Sequence, residues 1–363
     1  MPTQRDKIAR IRRGIARKGF SGGFATFAPE YVSHSSMQIE FSAVASPRAW
    51  LRMVAGEFGT SVVDDGFTLP PHVGEGFFRE YYPCPGLGVT ISSIRTVQPL
   101  VLHRNALAQS PWLPLMFYTN ETPLQQVVVG EQPHSVGRDL PEGIFCPSSD
   151  VESQWIFPPG IRHDNITLKF HRDWLLDQPS AQGSYMGKLL RSGHPFYLFE
   201  AIGPEMQQCL ERLRAVHQGQ ETFAGLLIHA LCVQLLHLFL SQVERRRDAD
   251  TPYARLTRRE VEAIFRVRAQ LLEDPAHPPT IATLAGPAGM SASKLQKCFC
   301  QVFGLSMARY ALQARMEWAK RLLAEGQLSV SEVGYRVGYS NLSKFTVAFR
   351  KHTGVNPKQW GRG

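Results

Sequence analysis

The sequence predicts a two-domain α+β chain, strand-rich in its N-terminal half and all-helical at its C-terminus. Three observations carry that prediction. The 363 residues exceed one small domain, and 43% hydrophobic with 20% charged residues give ordinary globular cores. Proline and glycine punctuate residues 65–170 between short β-branched runs, whereas residues 257–363 read as capped helices. Charge divides at the same place: residues 257–363 hold 16 Lys and Arg against 7 Asp and Glu, so the whole +9 excess lies there. A basic segment joined to a neutral one suggests polyanion binding, because clustered cations release counterions from phosphates.

Taken in order, residues 1–45 read as a basic, weakly ordered extension. Its first twenty positions carry Arg5, Lys7, Arg10, Arg12, Arg13, Arg17 and Lys18 with no apolar stretch behind them, unlike a secretory signal. Residues 46–245 form the strand-rich domain. Runs at Leu87 to Ile91, Gln125 to Val129 and Ile166 to Phe170 favour strands, and many short strands with turn signals predict a small barrel or sandwich. Thr222 to Val243 follows as a helix whose wide apolar stripe is buried against its own domain, a partner subunit, or both, with Leu227, Leu231, Leu235 and Leu238 as the candidate dimer contacts. Residues 246–256, charged and broken by Pro252, form a linker. In residues 257–363, Thr257 to Glu260 is a capping box, with Leu256 and Val261 as its staple. That helix should run to Glu273. Ser306 caps a long helix to Glu325, with Gly326 after it, and Ser329 to Glu332 is a second capping box. No run approaches the roughly 18 apolar residues of a membrane span. Six scattered cysteines suit a reducing cytoplasm.

An internal repeat organises the helical segment. Leu295, Phe299, Gly304 and Leu305 recur fifty residues later as Phe345, Phe349, Gly354 and Val355. Upstream, Leu284 and Ala285 match Val333 and Gly334. Each copy is a short helix, a glycine-containing turn and a second helix, which is helix-turn-helix grammar. The helix between the copies spans roughly 30 Å at 1.5 Å per residue, close to the ~34 Å between adjacent major grooves on one duplex face. On the first reading helix, Ser293, Gln296, Lys297 and Cys300 share the face opposite Leu295 and Phe299, with Lys294 at the helix start. Lys suits guanine and Gln suits adenine in the major groove. On the second, Asn341, Leu342, Ser343, Lys344, Thr346, Val347, Arg350 and Lys351 are the candidate contacts, with no basic residue at the central reading positions. Double-stranded DNA is the expected partner.

The residues also carry a family resemblance. Val330 to Ser340, then Phe345, Ala348 to Lys351 and Gly354 to Pro357, resemble the signature of AraC/XylS-type transcription regulators. So do Arg315 to Leu323 and Gly289 to Leu295. Gly286-Pro287 departs from the pattern and is expected to end its helix early. Leu305 to Tyr310, Leu328 to Ser340 and Phe349 to Lys351 are similar to the siderophore-responsive subgroup. Leu69 to Pro71, Gly74 to Gly76 and Gly86-Leu87 are similar to the start of a cupin-like sensor domain. The resemblance implies a cytoplasmic, dimeric bacterial regulator with a cupin-like β-barrel and dimerisation helices. It further implies a small-molecule effector, activation of transcription and contact with RNA polymerase.

The alternative reading is a cupin-type enzyme with a regulatory DNA-binding tail. Such a metal site needs convergent imidazoles and a carboxylate, and none of the twelve histidines forms a His-x-His pair. No nucleophile elbow, Walker loop or dinucleotide fingerprint is present. The sequence therefore assigns no catalytic residue, metal or cofactor. Tyr81, Tyr82, Trp155 and Phe157 are the candidate effector-pocket residues.

Overall fold

The computed structural model describes residues 36–42, 46–107, 110–120, 122–128, 134–138, 140–218, 222–246 and 255–360. The N-terminal half begins with β1 (Met37–Ser42), α1 (Pro47–Glu57), β2 (Gly66–Thr68), β3 (Gly74–Cys84), β4 (Leu87–Thr96) and β5 (Leu100–Asn105). It continues through β6 (Trp112–Tyr118), β7 (Leu124–Val128), β8 (His134–Val136), β9 (Ile144–Pro147), β10 (Ser153–Phe157) and β11 (Arg162–His171). The short helices α2 (Arg172–Leu176) and α3 (Tyr185–Ser192) precede β12 (Tyr197–Glu200), and α4 (Pro204–Gln218) and α5 (Ala224–Glu244) close the half.

The strands form two open sheets, ordered β1-β5-β10-β7-β8 and β12-β9-β6-β11-β4-β3-β2. This corrects the expected closed cupin-like barrel. The described strands leave each sheet with two edges, and β1 joins by parallel pairing with β5. That strand also lies inside the stretch read as a basic extension; residues 1–35 lie outside the described residues. Strand alternation builds three layers. On β4 and β11, Val89, Ile91, Ile166, Leu168 and Phe170 join the core shared with α3, α4 and α5. Thr90, Ser92, Asn165, Thr167 and Lys169 face the other way, into a cavity between the sheets.

By length and composition α5 is apolar enough to cross a membrane, which corrects the expectation that no run comes near that limit. Here it is a packing helix: Ile228, Leu231, Cys232, Leu235, Leu236, Phe239 and Val243 are buried in its own domain. Two proposed dimer residues, Leu231 and Leu235, therefore face inward, and Leu227 and Leu238 pack partly against the same core. Seven of 21 positions are buried because neighbours lie on one side only. The opposite face carries Phe223, Leu226, Ala230 and Val233 into solvent.

The C-terminal half comprises α6 (Arg258–Glu273), α7 (Ile281–Ala288), α8 (Ala292–Phe303), α9 (Met307–Glu325), α10 (Val330–Arg336), α11 (Leu342–Thr353) and α12 (Pro357–Trp360). Both capping boxes form, on Thr257 with Glu260 and on Ser329 with Glu332. Pro287 does not stop α7 early as expected. It occupies the last turn, where its missing N–H forfeits one bond, and the helix runs to Ala288 with Gly289 as its cap. The two halves share one core: Phe199, Phe145 and Val136 from the sheets are continuous with Phe265, Phe299, Phe303 and Tyr310 from the helices.

Candidate nucleic-acid interface and ligand cavity

Each reading helix is positioned by the residues that repeat. Ser291 caps α8 by accepting from the Lys294 amide, and Asn341 caps α11 by accepting from the Lys344 amide. Leu295, Phe299, Phe345 and Phe349 are fully buried, each contributing about 1.5–3 kcal/mol relative to exposure. Gly304 and Gly354 end the two helices in the left-handed conformation. Gly334 lets α11 cross close, since a Cβ there would sit 2.7 Å from Leu342 Cδ2 and 3.1 Å from Phe345 Cδ1.

The structure exposes Ser293, Gln296 and Lys297 together on the first turns of α8. Lys294 is exposed too, but its ammonium is paired with Glu260 of α6. Cys300, one turn further along α8, is half-buried. On α11, Ser343, Lys344, Val347, Arg350 and Lys351 are exposed. Three other candidates are occupied by local structure: Leu342 lies over Gly334, Thr346 donates to the Leu342 carbonyl at 3.0 Å, and Asn341 is the cap. Arg315 ties α9 to the connection between α6 and α7, donating to the Pro275 and Ala276 carbonyls at 2.8 and 2.7 Å. Trp318 packs on the core of the second helix-turn-helix.

The C-terminal end of α8 is docked on the N-terminal half. Arg246, just after α5, donates to Glu200 Oε1 at 2.6 Å, to the Gln301 carbonyl at 2.7 Å and to the Phe199 carbonyl. Alongside, Glu142 accepts from both Arg268 of α6 and the Tyr310 hydroxyl of α9. Burial opposes the Arg268 charge; Glu142 outweighs it and holds the guanidinium above its ordinary pKa. Burial also raises the Tyr310 hydroxyl well above its ordinary range, keeping it a donor. Sequence reasoning missed this contact, which joins residues more than 100 positions apart.

The cavity between the sheets has a volume of about 140 Å³. Trp155 and Phe157 line it, whereas Tyr81 packs toward the helix-side core and Tyr82 donates to Glu80 at 3.1 Å beside Arg48. Lys169 reaches Glu80 Oε1 at 2.6 Å and stacks over the Trp50 ring at 3.8 Å. Arg104 also lines the wall and was missed. The available signal was a charged residue at the inward phase of an apolar strand. Among the described residues, no group of three or more His, Cys, Asp or Glu side chains is placed to hold a metal.

Comparison with known proteins places both halves. Residues 74–256, just over half of the chain, match the family described as the regulatory protein PchR N-terminal domain, and residues 284–363 match a helix-turn-helix domain. A Streptomyces antibioticus protein named as a putative AraC-like transcription regulator is 32% identical over 129 residues, covering 36% of this chain and 42% of that protein. The transcriptional activator RhaR of Escherichia coli is 26% identical over 194 residues, covering 53% of this chain and 64% of RhaR. The chain thus spans less than two thirds of the length of these curated relatives. Among solved structures, the C-terminal domain of the response regulator AraT from Geobacillus stearothermophilus is 29% identical. The match covers 30% of this chain and 88% of that one, with a TM-score of 0.27. The DNA-binding domain of AdpA, solved with a target DNA, is 27% identical over 28% of this chain and 90% of its own, with a TM-score of 0.26.

Proposed function

Because the chain belongs to the AraC-type transcription regulators that carry the regulatory protein PchR N-terminal domain, we propose that it is a sequence-specific DNA-binding activator gated by a small molecule. The observation that carries the reading is the pair of capped, glycine-terminated reading helices, each with an exposed polar face, in the half that holds all the excess charge. Ser293, Gln296 and Lys297 read base edges on one half of the site. On the other, Ser343 and Lys344 contact DNA, Val347, 68% exposed, meets thymine methyls, and Arg350 and Lys351 grip phosphate. The effector occupies the cavity between the sheets and shifts a pre-existing equilibrium of domain placement. Contact with RNA polymerase belongs to the same proposal, and so does kinship with the siderophore-responsive branch, which rests on Leu305 to Tyr310 and Leu328 to Ser340 in the helical half and does not fix the effector.

Binding of the full chain to single-base-pair variants of its upstream DNA, at two salt concentrations, tests this. Lys297→Ala or Gln296→Ala should relax preference at one half-site by about 1–3 kcal/mol. Arg350→Ala or Lys351→Ala should weaken all sequences evenly and lower the salt slope by about one. Should Lys297→Ala keep every base preference while Arg350→Ala loses several, the roles of the two helices are reversed.

The dimer surface in this reading is the solvent face of α5. Phe223, Leu226, Ala230, Val233 and His237 recur at heptad-like spacing, with Leu226 70% and Val233 40% exposed. Leu226→Glu with Val233→Glu should give a soluble monomer by sedimentation velocity. Neither change touches the buried Leu231 face, so a dimer surviving both moves the interface elsewhere.

A further inference from the structure

The cavity wall has an unbalanced charge. Among the described lining residues only Lys169 and Arg104 are cationic, and none is a carboxylate. Lys169 is already neutralised by Glu80, which also accepts from Thr90 at 3.2 Å and from Tyr82 at 3.1 Å. Arg104 makes no such ion pair among the described residues. It is only 3% exposed, and its guanidinium donates to two neutral carbonyls, Val151 at 2.8 Å and Ser148 at 3.2 Å. Asp150 lies near enough to be felt, but it accepts from the Ser148 hydroxyl and does not line the cavity. Burial draws Arg104 down to about 10, which still leaves it a full cation at neutral pH. A buried charge without an ionic partner costs several kcal/mol unless something compensates it.

The rest of the wall sets the shape of what fits. Trp50, Phe78, Trp155 and Phe157 present rings, and the one polar group of Trp155 is spent within the wall, its Nε1 donating to the Tyr118 hydroxyl at 2.8 Å. Phe41 stacks on Trp155 with an interplanar angle of 12°. About 140 Å³ is close to the roughly 150 Å³ of an apolar cavity known to hold one benzene. A single ring fills the space, and one negative charge balances the wall.

We propose that this cavity binds a small aromatic monoanion, a one-ring carboxylate or its isostere, with Arg104 as the charge partner and the tryptophan and phenylalanine rings as the walls. The inference rests on the N-terminal half being an effector domain and names the class of effector.

The test is a titration of the full chain with matched pairs: benzoate with benzamide, phenylacetate with phenylacetamide, and hexanoate as the ringless anion. Emission from the tryptophans and the shift in melting temperature report binding. The expected result is that an aromatic carboxylate binds at least tenfold more tightly than its amide and than hexanoate. Arg104→Gln should erase the preference for the anion while the amide still binds. Because Arg104 also holds the Ser148 and Val151 carbonyls, that variant is read only if it stays folded; the parent comparison of anion with amide decides the matter without it. Equal binding of anion and amide, hexanoate matching benzoate, or no binding by any compound overturns the inference. Upstream DNA binding measured on the same samples separates the two levels. Intact DNA binding with failed ligand binding removes only the ligand class, whereas absent DNA binding at low salt removes the regulatory reading.

Discussion

Replacing Glu142 with alanine should destabilise the chain by about 3–5 kcal/mol, because it leaves Arg268 buried, charged and unpaired. The carboxylate is 1% exposed and serves two donors at once, the Arg268 guanidinium and the Tyr310 hydroxyl, both from the helical half. The Ser135 carbonyl, 3.2 Å from Arg268, and the Tyr310 hydroxyl beside it remain, and both are neutral. Since the pair bridges the halves, the loss should appear in urea unfolding as a split into two transitions, sheets and helices melting separately. Replacing all three groups together, as Glu142→Leu, Arg268→Met and Tyr310→Phe, should recover most of the stability, since an apolar set of similar volume carries no desolvation cost. A Glu142→Ala chain that unfolds in one transition within about 1 kcal/mol of the parent would remove this ion pair from the account of the interface.

Phe303→Ala should cost a comparable amount, about 3–5 kcal/mol, by opening a cavity where the halves meet. The Phe303 ring packs on Phe199 at 5.5 Å, Phe265 at 5.4 Å, Phe299 at 4.7 Å and Tyr310 at 5.4 Å between centroids. Phe199 belongs to β12 and the others to the helices, so the lost contacts again fall across the boundary. Phe303→Ala and Glu142→Ala share Tyr310 as a neighbour and should therefore be non-additive, the pair costing less than its sum. Phe349→Ala, by contrast, empties only the core of the second helix-turn-helix and should add fully to either. Denaturant unfolding of the two double variants distinguishes these outcomes; strict additivity of the first pair would mean that the two contacts act independently.

The helical half was legible because its signals are local. The capping boxes at Thr257 and Ser329 and the glycines at 304, 326 and 354 fix helix ends within a few residues of themselves. The inward Leu295, Phe299, Phe345 and Phe349 announce themselves by helical period and by repetition. The sheet half yielded strands but not their pairing, since β1 meets β5 across more than sixty residues and no local pattern encodes that choice. The α5 stripe left its partner open for a related reason. Leucines recur all around the helix, and only the positions of β3 and α4 decide which of them face inward. The docking of α8 left one trace within the repeat. Fifty residues separate Phe303 from Thr353, whose hydroxyl simply donates back to the Phe349 carbonyl at 2.9 Å. An aromatic residue in one copy and a hydroxyl in the other marks the copy that has a neighbour.

The alternation along β4 and β11 also governs how this protein tolerates insertions and deletions. Each strand presents one face to the cavity and the other to the α4–α5 layer, in a single thickness of sheet. Deleting one residue from the middle of β11 would exchange the faces beyond that point. Lys169 would then be driven among Leu210, Leu213 and Leu235, away from Glu80, while Phe170 would enter the ligand cavity. Point substitutions can therefore retune the cavity one inward position at a time, whereas length changes are confined to the turns that join the strands.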